Sequence, residues 1–347
     1  MAGNGVVTGV PPAIPETVTR ATADPLALGR AVREELSCRW SAEPGLLGAM
    51  CRHALTSTGK LVRPILLLQS ALAVGGDCDQ VMPAAVGAEC GHIASLVHDD
   101  IIDHDDLRRG LPSVHSEYGI GNAIVAGDAF IFDLFAGLAE CRHTGIPDNR
   151  ITWALEIVAR CGIDLCRGQS MEEEMSRTPT FDVQLYLLMI RLKTAAFFAG
   201  VCACGAALAG GEPDHVRALT TYAEYIGTAF QIQDDLLAYT GCAATMGKSE
   251  TSDARNGRVT LPIILAHQSG SAARRDMIER TLFGDDDPPV RRAALAEILD
   301  RSGTLEASAE MARDHVRQAR AALEVLPASA SRDWLGALGD LVIARDR

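Results

Sequence analysis

The stretch "SLVHDDIIDHDDLRRG", Ser95 to Gly110, sets five aspartates behind an apolar run and closes on two arginines. At helical spacing such like charges repel one another, so the cluster calls for a cation, a partner or open water. Asp99 and Asp103 stand four apart and share a helix face, with Asp100 beside them. That spacing predicts three hard oxygen donors converging near a helix end. Such a set suits Mg²⁺, which keeps some of its waters and takes substrate phosphate oxygens as further ligands.

A second acidic pair follows in "FQIQDDLLAYTGCAATMGK", where Asp234 and Asp235 are adjacent and Gln231 precedes them on the same helix face. An isolated Asp-Asp pair is ordinarily a solvated face or a complement to a helix N-terminus. "GDDDPP", Gly284 to Pro289, illustrates this: it sits in a proline-rich break without an apolar flank and reads as a loop. The other two clusters differ because both are embedded in apolar helix. Facing each other across a cavity, they would hold two or three metal ions and stabilise a diphosphate as a leaving group.

Basic residues supply the counterpart. "GKLVRP" gives Lys60 and Arg63, three apart and expected on one helical face. "LRRG" gives Arg108 and Arg109, "RLKTAAFF" gives Lys193, "MGKS" gives Lys248 and "NGRVTLP" gives Arg258. Each alone is an ordinary solvated side chain. Together they supply cations for a second phosphate group that lacks metal, and the arginine fork suits phosphate oxygens in pairs.

The remainder of the chain frames these motifs. Of 347 residues 48% are hydrophobic and 22% charged, which gives a sizeable core and excludes a disordered chain. The net charge of −13, without a basic run, argues against nucleic acid as the main partner. Ten cysteines are scattered with no CxxC pair. They read as buried small hydrophobes in a reducing cytoplasm rather than as zinc ligands. "TAAFFAGVCACGAALAGG", Thr194 to Gly211, is uncharged and close to bilayer length, but its Ala/Gly/Cys content predicts a buried core helix and no stable membrane insertion.

Residues 1–24 are Gly/Pro/Thr-rich and predict a flexible tail. From Pro25 to the C-terminus, apolar residues recur at three- and four-residue spacing, with no strand–helix alternation. "VGGDCDQ", "TGIPDN", "GGEPD", "GDDDPP" and "LPASAS" punctuate the pattern. The expectation is one all-α domain over 25–347, a bundle of ten or more helices around a central cavity. The chemistry that fits is ionisation of an allylic diphosphate, attack on the cation by a neighbouring alkene, and proton loss to the departing diphosphate. No nucleophilic triad or P-loop is present, and none is needed.

These motifs resemble the trans-prenyltransferases, the isoprenyl diphosphate synthase family. "GKLVRP" is similar to its Gly-Lys-x-x-Arg-Pro, and "DDIIDHDDLRRG" to its first aspartate-rich motif. "GQSMEEE" is similar to its Gly-Gln helix, "KTAAFF" to its Lys-Thr motif, and "QDDLLAYTGCAATMGKSETSD" to its second aspartate-rich motif and lysine loop. The resemblance implies that Asp99, Asp100 and Asp103, with Asp234 and Asp235, bind Mg²⁺ around the allylic diphosphate. Arg108, Lys193, Thr194, Gln231 and Lys248 would line that diphosphate, and Lys60, Arg63, His92 and Arg109 would hold isopentenyl diphosphate. It implies the isoprenoid synthase bundle, usually as a homodimer.

Two positions depart from the family pattern. Ala238 replaces the third aspartate of the second motif, and Arg258 stands where many members have lysine. Product length is a packing question. Ala94 and Ser95, five and four residues before Asp99, are small and leave room for a tail, with Phe130, alongside Phe132 and Phe135, as a possible deeper floor. The expected product is geranylgeranyl diphosphate, with a longer product as its rival. A terpene cyclase is disfavoured by an aromatic content of only 5%. A non-catalytic regulatory subunit is disfavoured by the whole first motif.

Overall fold

The computed structural model describes residues 24–56, 59–240 and 258–344. The expected N-terminal tail, Asp24 apart, and Lys248 lie outside the described residues. Helix α1 (Pro25–Ser41) starts where composition changes. The Asp24 carboxylate accepts from the amides of Leu26 at 3.1 Å and Ala27 at 3.2 Å, and Pro25 occupies a position that needs no N–H. There follow α2 (Gly45–Thr56), α3 (Val62–Ala73), α4 (Cys78–Ile102), α5 (Val114–Tyr118), α6 (Ile120–Glu140) and α7 (Asp148–Arg177). Next come α8 (Val183–Leu208), α9 (Pro213–Thr240), α10 (Leu261–Ser269), α11 (Ala272–Phe283), α12 (Pro288–Ser302), α13 (Thr304–Ala322) and α14 (Ala330–Ile343). The expected breakers fall between helices, and Gly284 to Asp287 is the loop expected of "GDDDPP".

Among the described residues the one extended pairing is a two-stranded antiparallel hairpin, β1 (Leu107–Arg108) with β2 (Leu111–Pro112). Sequence periodicity cannot reveal an element this short. Its turn residues Arg109 and Gly110 both take positive φ, 52° and 80°, as a two-residue hairpin turn of this kind requires.

Helix α8 runs through the core, and every residue from Phe197 to Leu208 is buried. By length and composition it would pass for a membrane span, as would α6. Its small residues serve close packing instead: a Cβ added at Gly205 would meet the Leu67 carbonyl oxygen of α3 at 2.1 Å. Helices α4 and α6 also pack backbone to backbone. A Cβ on Gly87 would lie 2.9 Å from the Leu134 carbonyl oxygen, and one on Gly137 would lie 2.4 Å from that of Pro83. The outer face of α6 is apolar yet exposed at Ile120, Ile124, Val125 and Phe132. The burial expected of the cysteines holds for seven of the nine described, but Cys38 and Cys166 are exposed.

Candidate active site

The C-terminal end of α4 carries the first acidic motif. Asp99 and Asp100 lie in the last turn, and Asp103 is the first residue past it, its amide bonded to the Asp99 carbonyl at 2.8 Å. The three carboxylates do not converge as the spacing suggested. Successive helix residues diverge by about 100°, and the hairpin folds back so that Arg108 meets Asp100. The Arg108 Nε donates to both Asp100 oxygens at 2.8 Å, and its Nη2 adds a further bond. Both partners are buried. Burial works against the Arg108 charge, but the Asp100 carboxylate more than offsets it and raises the guanidinium's pKa.

Asp103 instead meets Arg258, whose Nη2 donates at 2.5 Å and also lies 3.4 Å from Glu172 of α7. Burial raises the Asp103 carboxyl, while Arg258 and Lys193 pull it down. Glu172 in turn accepts from the Lys193 ammonium. Lys193 and Thr194 sit in a π-helical turn, Arg191–Ala195, inside α8. Two glycines make room for that turn. A Cβ on Gly168 would stand 2.2 Å from the Lys193 amide nitrogen, and one on Gly227 would stand 2.6 Å from the Ala195 Cα. Such insertions are frequent at functional sites.

From the π turn the chain of contacts passes to the second acidic motif on α9. Thr194 Oγ1 donates to Gln231 Oε1 at 2.9 Å, and Gln231 Nε2 donates to Asp235 Oδ1 at 2.9 Å. The other Asp235 oxygen accepts from the Tyr186 hydroxyl at 2.6 Å. Tyr186 and Asp235 are both buried, whereas Asp234 is exposed. Ala238 lies one turn beyond, its carbonyl accepting from Arg292 at 3.0 Å. The two acidic motifs thus line one mouth, joined through Arg258, Glu172 and the π turn.

On the other side of Asp100 lies a cleft between α2, the Gly59 segment ahead of α3, α4 and the hairpin, lined among others by His53, Gly59, Glu89, His92 and Arg109. Lys60 and Arg63 do not share a helical face, which corrects the reading of "GKLVRP". Helix α3 begins only at Val62, and Leu61 before it takes a left-handed φ of 54°, so Lys60 stands exposed ahead of the helix. Leu61, His104 and Arg109 are the described non-glycine residues with positive φ, and all three lie in the loops that frame the site. Backbone strain of this kind gathers at functional sites.

Arg63 at the start of α3 is half-buried and lies behind the cleft wall formed by His92. Its carbon Cζ stacks 4.9 Å from the Phe198 ring and 5.5 Å from that of Phe197, both on α8. Its Nη1 lies 3.0 Å from His92 Nε2. Arginine can only donate, so Nε2 accepts and the His92 proton sits on Nδ1. Burial and the Arg63 charge push the imidazole pKa well down, so this histidine is neutral. The buried His92 Nδ1 and Arg63 Nε have no hydrogen-bond partner among the described residues. Unpartnered buried donors are costly, and these two together mark a place built for an anion. Burial also lowers the Arg63 guanidinium to about 10, with Glu89 opposing the shift.

The polyprenyl synthetase family model matches residues 44–298. The chain belongs to that family. Membership makes it a trans-prenyltransferase. It is 35% identical over 315 residues to the short chain isoprenyl diphosphate synthase of Methanothermobacter thermautotrophicus, covering 91% of this chain and 94% of that protein. The fold matches geranylgeranyl pyrophosphate synthetase from Pyrococcus horikoshii with a TM-score of 0.84 and 30% identity, over 92% of this chain and 98% of the other. It matches the polyprenyl synthase from Caulobacter crescentus complexed with calcium and isoprenyl diphosphate equally well, at 0.84 and 29%, over 94% and 98%. Other relatives, at 31 to 33% identity, bear names from geranylfarnesyl to nonaprenyl diphosphate synthase.

Within this polyprenyl synthetase site, the motifs did not reveal Tyr186, Glu172 or Glu89. Tyr186 precedes Lys193 by seven residues, near two turns, and that spacing was the available signal. Glu89 stands three before His92, on the same face of α4.

Divalent metal fits the donor set without being held by protein alone. Among the described residues no three acidic, histidine or cysteine side chains gather closely enough to hold an ion. Hard carboxylate oxygens that leave coordination positions to a phosphate are what Mg²⁺ prefers.

Proposed function

We propose that this chain elongates an allylic diphosphate with isopentenyl diphosphate and releases geranylgeranyl diphosphate. The observation that carries the reading is the pairing of two unlike sites on either side of Asp100: an acidic mouth and an arginine cleft. Arg63, His92, Arg109 and Lys60 hold the isopentenyl diphosphate. Lys193, Thr194, Gln231, Arg108 and Arg258, with Lys248 from outside the described residues, hold the allylic one. Mg²⁺ ions, two or three of them, held by Asp99 and Asp103 and across the mouth by Asp235 with Asp234, would neutralise charge on the leaving diphosphate. Asp100 anchors Arg108 and reaches a metal only if that pair opens.

The protein's own part is positioning and exclusion of water. Cleavage of the allylic carbon–oxygen bond leaves a delocalised cation, which the isopentenyl double bond attacks. The proton released from the adjacent carbon goes to the departing diphosphate. Ala238 brings no carboxylate, but Asp235 is fixed by two hydrogen bonds, which supports a working second motif.

Chain length follows from the stripe of α4 that faces α6. Gly91 meets Leu134 and Phe197, and His98 lies over Gly127. Ala94 lies between these positions on the same face. The stripe is small from Ser95 down to Gly87, where the backbones touch, about 18 Å below Asp99 at helical rise. That depth favours a tail of intermediate length. Phe130 is buried against Trp40 at 5.0 Å between ring centroids, while Phe132 is 72% exposed and faces away from any such floor. Relatives named for longer products keep the longer-chain reading alive.

The exposed apolar face of α6 supports a homodimer, because a patch of this kind on a soluble chain needs cover. Nine described cysteines without a disulfide support a cytoplasmic location. The catalytic domain would run from Pro25 to the C-terminus.

The decisive assay supplies Mg²⁺, isopentenyl diphosphate and, in turn, dimethylallyl, geranyl or farnesyl diphosphate, and sizes the dephosphorylated products. A linear twenty-carbon alcohol is expected. A longer alcohol corrects the length, and a cyclic hydrocarbon or no turnover overturns the reading. Ala94→Phe should shorten the product; an unchanged distribution would show that the tail does not pass Ala94.

A further inference from the structure

The arginine cleft holds one carboxylate that the chemistry above does not use. Glu89 is 2% exposed, and its Oε2 makes no hydrogen bond among the described residues. Every cation near it comes from a different element: Arg63 from α3, Arg109 from the hairpin and Arg33 from α1. His92 on its own helix and His53 of α2 also line the cleft, as do the paired Asp100 and Arg108. The Arg33 guanidinium is tied to the Gly59 carbonyl at 3.2 Å, and a Cβ on Gly59 would lie 2.5 Å from Arg109 Nη2. The three arginines are therefore held around Glu89 without making a hydrogen bond to its free oxygen.

A structural counter-ion would be hydrogen-bonded to its cation, because a buried half-satisfied carboxylate is unfavourable. Glu89 is not, and burial pushes its carboxyl from 4.5 up to about 7 against the pull of the arginines. An ionised carboxylate would also repel a diphosphate in the same cleft.

We propose that Glu89 is a positioning residue that exchanges a proton with the occupancy of this cleft. With the cleft empty, the carboxylate balances the arginines. When a diphosphate enters, it replaces that balance, and Glu89 takes one proton from solvent. The neutral carboxyl then has an O–H to donate where the carboxylate would repel. The proton returns to solvent on release, and no covalent bond to carbon is involved. This inference rests on the reading of the cleft as the isopentenyl diphosphate site.

The test is calorimetric titration of the full-length, metal-free chain with isopentenyl diphosphate at pH 8, in two buffers of different ionisation enthalpy. The wild-type chain should take up close to one proton per ligand, and Glu89→Gln close to none. In steady state, the wild-type KM for isopentenyl diphosphate should rise by up to about tenfold per pH unit above neutrality. In E89Q it should stay flat while kcat follows the wild-type profile. Wild-type binding heats that are equal in the two buffers overturn the proposal without recourse to the variant, as does equal uptake by both proteins. Turnover of the same preparation with an allylic diphosphate and Mg²⁺ separates the two failures. Turnover without proton uptake overturns the role of Glu89 alone. Absence of both binding and turnover overturns the reading of the cleft, and the proposal with it.

Discussion

The acidic mouth and the arginine cleft sit back to back across Asp100, and they are prepared for ligand in opposite ways. In the mouth, Asp103, Glu172, Lys193 and Asp235 all have internal partners: Arg258, Lys193, Glu172 and the Gln231–Tyr186 pair. At the cleft, Arg63, His92 and Glu89 each keep a buried polar atom without one among the described residues. The mouth is a set of ion pairs that ligand must rearrange. The cleft is a fixed cradle in which the unpartnered donors of Arg63 and His92 match an anion, while Glu89 opposes one. A site that assembles cations and substrate together benefits from the first arrangement, and a site that holds one ready-made diphosphate benefits from the second.

The comparison breaks most sharply at Asp99. Among the described residues its carboxylate makes no hydrogen bond and acts on Arg63 and Arg108 only through charge, so Asp99→Ala should leave the fold intact and lower kcat by about 10²–10³, the scale of losing charge stabilisation in a transition state. Unchanged turnover, measured beside an unchanged melting curve, would remove the first motif from the chemistry. Gly168→Ala attacks the frame rather than the charge. The new Cβ would meet the Lys193 backbone at 2.2 Å. We expect a loss of about 2–3 kcal/mol in denaturant unfolding, as for other overpacked contacts, with KM for the allylic substrate raised and that for isopentenyl diphosphate spared.

Tyr186→Phe removes one of the two bonds that aim Asp235. By analogy with partners behind metal ligands, kcat or metal affinity should fall about 10-fold or more, and a metal titration of activity separates the two. The smallest effect is on stability. A carboxyl held at about 7 in the folded chain and near 4.5 when unfolded costs stability as pH rises through that window. Glutamine at position 89 removes this cost, so E89Q should melt roughly 2–4 °C higher than wild type at pH 8 and level with it at pH 5. A shift of equal size at both pH values would mean that packing, not ionisation, is responsible.

What the sequence made legible was set by period and by punctuation. The helices, their breaks and the central burial of "FFAGVCACGAAL" follow from apolar spacing and small-residue content. The acidic motifs were legible because charge inside an apolar helix is conspicuous. What was not legible depended on chain reversals of a few residues. The left-handed Leu61 takes Lys60 off the helix. The Arg109–Gly110 turn carries Arg108 back to Asp100, and no helical spacing foretells that. The π turn at Lys193 breaks the 3.6-residue period on which face assignments rest. Tyr186 and Glu89 were hidden for another reason: a lone tyrosine or glutamate in a helical pattern is unremarkable until its burial and its neighbours are known.

That π turn has a consequence for the length of α8. Five residues span what four would in a regular helix, so everything beyond Ala195 is rotated by about 100° relative to an unbroken continuation. Tyr186 upstream and Phe197 and Phe198 downstream are all buried, and this extra residue sets the phase between them. Deleting any single residue from 191–195 would let the helix become regular and gain hydrogen-bond geometry. It would also turn the aromatic platform beneath Arg63 out of register with the hydroxyl that aims Asp235. The two halves of the site are thus tuned to each other through a count of residues, as well as through the side chains of Lys193 and Thr194 that the turn carries.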